Sequence, residues 1–240
     1  MFYYYMPYDS NYGIFLILLL IALGIGVFAQ NLVNNRYATY KRVATRNGMS
    51  GSEAARQVLD ANGLVGVGIE CISGKLTDHY DPRTNVVRLS QAVYEGRDVA
   101  SVGIACHEVG HAIQYNTNYA LIHIRAAIVP ITNFGAAVSP YMILIGLLIS
   151  RLQVLAWIGL IFYSFSAIFQ LITLPVELNA SSRAMKTIRE MNLLASEGEY
   201  DGAAKVLKAA ALTYVASLAT SLVYLLRMVM MVVGNTRNDE

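Results

Sequence analysis

Apolar residues fall in four long blocks along the chain, and polar and turn-forming residues fill the gaps between them. Residues 13–29 carry no charge. With a few neighbours they reach the roughly 20 residues that a helix needs to cross hydrocarbon. Residues 126–149 and 152–174 are two further blocks, and Ser150-Arg151 between them reads as a tight turn, so the pair predicts a transmembrane hairpin. Pro130 and Pro140 lie inside the first of these two blocks; membrane helices tolerate proline, usually with a kink. The fourth block, about 209–226, belongs to a stretch from Asp201 to Val233 that suits one long helix with a polar first part.

Between the first and second blocks the pattern changes, and residues 47–118 read as a small soluble domain. Ser50 and Glu53 have the S-x-x-E spacing of a capping box. They predict a helix running to Ala61 and ending at Asn62-Gly63. Residues 67–72 and 86–89 are β-like, and the turn-rich stretch 77–85 separates them. A strand beside the next helix suits pairing with an extended peptide; the plainer role is a hairpin that completes the core. Residues 90–94 suit one or two helical turns, which Gly96 breaks, and the proline-free stretch 98–114 predicts a helix. Beyond the hairpin, Pro175 suits the first turn of a helix that opens near Leu174.

Composition agrees with a membrane protein. Of 240 residues, 55% are hydrophobic and only 14% charged, too apolar for an ordinary soluble domain. The net charge of +2 implies no nucleic-acid partner. The first block lacks the positive n-region of a signal peptide, so a retained span is expected, with Tyr3, Tyr4, Tyr5, Tyr8 and Tyr12 as an interfacial belt. Arg36, Lys41, Arg42 and Arg46 follow it, and Arg183, Lys186 and Arg189 follow the hairpin. Basic residues just past a span mark the cytoplasmic side, which puts both termini outside. Gly24 and Gly26 are too close together for a G-x-x-x-G helix pair, and the sequence gives no oligomeric state.

The chemistry is concentrated in His107-Glu108-Val109-Gly110-His111, an H-E-x-x-H pattern on the predicted helix 98–114. His107 and His111 are one turn apart and face the same way. Two neutral imidazoles so placed suit one Zn²⁺, with room for a third protein ligand and a water. Glu108 beside them suits a general base. The pattern is short, and on its own it also occurs by chance on surface helices. Cys106 points about a third of the way round the helix and reads as a small buried side chain.

Two crossings separate His111 from Glu177, so both return to one side of the membrane. That makes Glu177 the best-placed carboxylate for a third ligand. The plainer role is an acidic residue at a helix N-terminus. His79 reads as a ligand, as a transition-state donor or, more simply, as a structural histidine in a turn. His79, Tyr80 and Arg183 are candidates for an oxyanion donor. His123 and Arg125 at the hairpin's entrance read as interfacial side chains that snorkel.

Four stretches together carry a family resemblance: Asp78-His79-Tyr80-Asp81-Pro82-Arg83, Val87-Arg88-Leu89-Ser90, Ala105 through Gln114, and Leu174-Pro175-Val176-Glu177. In these the chain resembles the YugP-type membrane zinc metallopeptidases, roughly from Tyr40 to the fourth span. The order of zinc helix, membrane hairpin and glutamate helix is also similar to HtpX and the CAAX prenyl proteases. The resemblance implies a multi-spanning membrane protein with a neutral zinc peptidase domain. It implies zinc ligands at His107, His111 and Glu177 and a catalytic base at Glu108. The chain departs from that pattern at Cys106, where Ala is common, at Asn179, where Asp is common, and at Ser181, where HtpX-like enzymes often carry Asp. A lost carboxylate at such a place affects how a zinc histidine is oriented, although Asn179 still suits accepting a bond from a histidine N–H.

The expected fold is therefore a mainly α membrane protein, with about four transmembrane helices and a small α+β zincin-like cytoplasmic domain. Residues 1–33 form an N-terminal transmembrane helix and 34–119 the zinc-peptidase domain. Residues 120–175 form the hairpin and 176–202 a cytoplasmic helix with the third ligand. Residues 203–233 form a long helix with the fourth span, and 234–240 a polar tail. The expected activity is hydrolysis of a protein or peptide substrate at the cytoplasmic membrane surface, with zinc as cofactor and the lipid bilayer as surroundings. Two alternatives stand beside it. One is an intramembrane metalloprotease of the site-2 type, against which the polar flanks Arg97-Asp98 and Gln114-Tyr115-Asn116 argue. The other is a non-catalytic scaffold with a closed zinc site, for which Cys71, Cys106 and His79 are the obvious fourth ligands.

Overall fold

The computed structural model describes residues Ser10–Arg237, with side chains at 13–149 and 151–234. The expected tyrosine belt and the end of the polar tail lie outside those side chains. The elements run α1 (Ser10–Tyr40), α2 (Gly51–Ala61), β1 (Gly68–Ile72), β2 (His79–Asp81), β3 (Val86–Ser90), α3 (Gln91–Tyr94), α4 (Val99–Asn116), α5 (Ala120–Leu148), a 3-10 turn (Ser150–Leu152), α6 (Gln153–Glu190) and α7 (Glu197–Arg237). Four of them, α1, α5, α6 and α7, are long and apolar enough to cross a membrane. The protein is a mainly α membrane protein with a small α+β part.

Two compact units share these elements. The first comprises the chain up to Phe28, Ile128–Leu171 and the chain from Val215. Here α5 and α6 pack through small residues. A Cβ on Gly135 would lie 2.7 Å from the Phe162 carbonyl oxygen, and one on Gly159 would lie 2.8 Å from Ile143 Cγ1. Gly146 meets the backbone of Ala156 in the same way. Such seams let membrane helices approach closely where apolar burial does not favour association. Ile143, Ala156, Leu160 and Val232 are buried together. Ile17, Phe28, Leu144, Ile161 and Leu222 stay exposed, as lipid-facing residues do.

The second unit comprises Ala29–Ala127 and Ile172–Tyr214. The capping box forms as the spacing predicts: Ser50 Oγ accepts from the Glu53 N–H at 3.2 Å, and Glu53 accepts from the Ser50 N–H at 2.8 Å. It starts α2, whose Ala54, Ala55, Val58 and Leu59 form one apolar face. Asp98 caps α4, accepting from the Ser101 N–H at 2.9 Å. The core gathers Val58 and Leu59 of α2, Val87 and Leu89 of β3, Val102 and Val109 of α4, Ala184 and Ile188 of α6, and Ala203 and Leu207 of α7. Helix α4 thus lies inside the unit, buried along most of its length.

The sheet has the order β1-β3-β2, with β1 parallel and β2 antiparallel to β3. Arg88 on β3 ties it together, reaching Glu70 of β1 and Asp81 of β2, each at 2.9 Å. β1 and β3 fall where the sequence places strands. β2 lies inside the stretch read as turn, because three residues before Pro82 leave too short a run to recognise.

Helix α6 does not begin at Pro175. It runs unbroken through the proline, with Thr173 and Val176 buried on either side. Packing on both sides holds the helix across the one missing donor.

At Gly110 α4 packs tightly against α6. A Cβ there would lie 2.6 Å from the carbonyl oxygen of Ala180. Gly110→Ala is therefore expected to force the helices apart and to lower stability by about 1–3 kcal/mol. Thermal unfolding in detergent reads this as a lower Tm; an unchanged Tm would show that the helices separate without cost.

Candidate metal centre

Helix α4 sets His107 and His111 one turn apart on the face that meets α6. Their rings meet edge to face, with centroids 4.9 Å apart. Glu177 of α6 enters between them and is only 3% exposed. Its Oε2 lies 3.3 Å from His107 Nε2 and 3.5 Å from His111 Nε2. One donor atom from each of the three residues lies within 4.8 Å of the other two. Tetrahedral zinc at 2.0–2.1 Å from its ligands sets neighbouring ligand atoms about 3.3 Å apart, so the spacing fits this metal.

The far side of each ring explains why the Nε2 atoms face inward. Gln114, fully buried, donates from Nε2 to Val176 O at 2.8 Å and to Asn179 Oδ1 at 3.0 Å. Two acceptors on that side fix the amide, so its Oε1 faces His111 Nδ1, 2.9 Å away. His111 Nδ1 therefore carries the hydrogen, and in the neutral ring Nε2 offers a lone pair toward Glu177 Oε2. In that state two lone pairs face each other across a buried gap, and a cation between them would satisfy both. Ser181, one turn after Glu177, sets its Oγ 3.1 Å from His107 Nδ1. This is the position noted above as a departure from the Asp of HtpX-like enzymes.

Glu108 follows His107 and is 8% exposed. Burial pushes its carboxyl above the ordinary range, while His107 and His111 pull it back down. A carboxylate raised in this way is a stronger base. Cys106 points into the core as expected, and burial pushes its thiol up to about 12.

The other candidates lie elsewhere. His79 is exposed on β2, with Nδ1 2.9 Å from Thr77 O. The Tyr80 hydroxyl donates to Asn85 at 2.8 Å, and its ring packs on Tyr115. Asn179 accepts from Gln114 and from Arg183 Nε at 2.8 Å, not from a histidine. Arg183 also lies over the Tyr119 ring.

Three contributors escape the sequence reading. Gln114 stands three residues after His111 on the buried face, a spacing that signals a partner for the ring. Arg125 is not a snorkelling side chain: its Nη2 lies 3.6 Å from Glu177 Oε1. His123, the other residue read as interfacial, is exposed and packs edge to face on Tyr115. Tyr214 of α7 lies near enough to the Glu177 carboxylate to feel its charge, and no motif marks it.

A helical membrane protein with two histidines of an H-E-x-x-H turn gathered on a buried glutamate defines a class of candidate metal-dependent membrane proteins. The chain belongs to the family described as "Putative neutral zinc metallopeptidase", which it matches over residues 15–233. It is 45% identical over 217 residues to "Putative membrane protease YugP" of Bacillus subtilis (strain 168), covering 90% of this chain and 96% of that protein. No solved structure matches the chain.

Replacing Gln114 by Leu removes the acceptor that sets the His111 tautomer. Zinc binding, measured by chelator competition, is expected to weaken by about 10–100-fold. Wild-type affinity in this variant would mean that the ring needs no such partner.

Proposed function

We propose that the protein is a membrane-bound zinc endopeptidase that hydrolyses peptide bonds at the cytoplasmic membrane surface. The observation that carries this reading is the convergence of His107 Nε2, His111 Nε2 and Glu177 Oε2, with both Nδ1 atoms already engaged. These three residues would hold Zn²⁺. Bound there, zinc supplies a water of lowered pKa and polarises a substrate carbonyl. Glu108 accepts the proton of the attacking water and delivers it to the leaving amine. Gln114 and Ser181 keep the two imidazoles from turning.

The donor set supports a catalytic site over a closed structural one. The cluster offers three protein donors, while Cys71 and His79 are exposed and Cys106 is buried in the core. The position of the metal helix argues against the site-2 arrangement, because α4 is not among the four helices apolar enough to cross a membrane. The basic residues after α1 and within α6 support the cytoplasmic side. The 45% identity to a protein named as a membrane protease supports a protein or peptide substrate.

Glu108→Gln keeps the shape of the site and removes the base. Cleavage of an unfolded protein substrate should fall by about 10²–10⁴-fold while zinc content stays at wild type. Cleavage at the wild-type rate would end the assignment of Glu108. Sidedness has a native reporter, since Cys71 is exposed and Cys106 buried. An impermeant thiol reagent should label Cys71 in inside-out vesicles and not in right-side-out cells, with Cys71→Ser as control. The opposite pattern would reverse the topology.

A further inference from the structure

Glu177 divides its two oxygens between two kinds of partner. Oε2 faces the two histidine Nε2 atoms, and Oε1 faces the Arg125 guanidinium at 3.6 Å. Arg125 comes from the first turns of α5, and only Thr117, Asn118 and Tyr119 separate α5 from the metal helix α4. The start of α5 is held there: His123 packs edge to face on Tyr115 of α4, with ring centroids 5.2 Å apart. The guanidinium is thus delivered by the element that follows the metal helix, to the side of the carboxylate away from the histidines.

A carboxylate binds a metal through one oxygen or through both, and what its second oxygen meets decides between them. Here that oxygen is buried and has a cation beside it. We infer that Arg125 is a positioning residue that restricts Glu177 to one-oxygen ligation and so keeps a coordination position open for water and substrate. This inference rests on the zinc reading above.

A sign separates this role from simple structural support. With Arg125 removed, Glu177 Oε1 is left buried without its cation, and the metal becomes the nearest positive charge. The carboxylate then closes on the metal with both oxygens and fills the open position. A positive charge near the metal is lost as well, which favours metal binding. Damage to the site would instead weaken binding.

The test uses the full-length protein in detergent, with Arg125→Met, Arg125→Lys and Glu177→Ala beside wild type. Each is loaded with Co²⁺ for its visible absorption, titrated with Zn²⁺ against a chelator, and assayed for cleavage. For Arg125→Met, zinc affinity should be unchanged or higher, Co²⁺ absorption should lose intensity as coordination number rises, and kcat should fall by about tenfold or more. Arg125→Lys restores a cation and should recover the wild-type Co²⁺ spectrum and part of kcat. A wild-type spectrum in Arg125→Met, or weaker zinc binding in it, overturns the inference. Glu177→Ala distinguishes the two levels. If that variant keeps its zinc, the ligand assignment fails; if it loses zinc while Arg125→Met keeps the wild-type spectrum, only the role of Arg125 fails.

Discussion

Burying a carboxylate is costly unless positive or donor groups meet it, and Glu177 is almost wholly buried. Much of the second unit can be understood from that constraint. Helix α4 brings two imidazoles to one oxygen, and α5 brings a guanidinium to the other. The close approach of α4 to α6 at Gly110 makes the first of these meetings possible. Two neutral imidazoles offer lone pairs rather than charge, so a metal ion held there would complete the balance.

The same helix that carries the histidines is the centre of the apolar core. Core helices move little, because close packing on every side leaves no room for rotation. His107 and His111 inherit that rigidity at the backbone, and Ser181 and Gln114 extend it to the rings. Pre-set donor positions of this kind reduce the reorganisation needed on metal binding. The capping box at Ser50 and the Asp98 cap serve this arrangement from a distance by fixing where α2 and α4 begin.

Residues coupled by short sequence spacing were legible. His107 and His111 needed only helical periodicity, and the Ser50 cap needed only its spacing to Glu53. Glu177 was reached by counting crossings, a topological argument that does not depend on local propensity. The apolar blocks were legible because hydrocarbon imposes length and composition together. What stayed hidden depended on tertiary context. Pro175 has the local signature of a helix start, but packing carries α6 through it. β2 is three residues long and gains its identity only by pairing with β3. Arg125 looked like an interfacial charge because nothing in its neighbourhood names a partner 52 positions away in the chain. Ser181 stood out only as a departure from a family pattern, and its contact with His107 Nδ1 needs the fold to bring α4 and α6 together.

The chain order of the donors has a consequence for biogenesis. His107 and Glu177 stand 70 positions apart, and the apolar lengths of α5 and α6 lie between them. A ribosome releases the histidines long before the glutamate, and the intervening segment must enter the bilayer before α6 can return. The donor set therefore cannot close on a half-made chain. His107, His111 and Glu177 come together only once α5 and α6 are in place, so assembly of the donor set and folding of the membrane hairpin are one event.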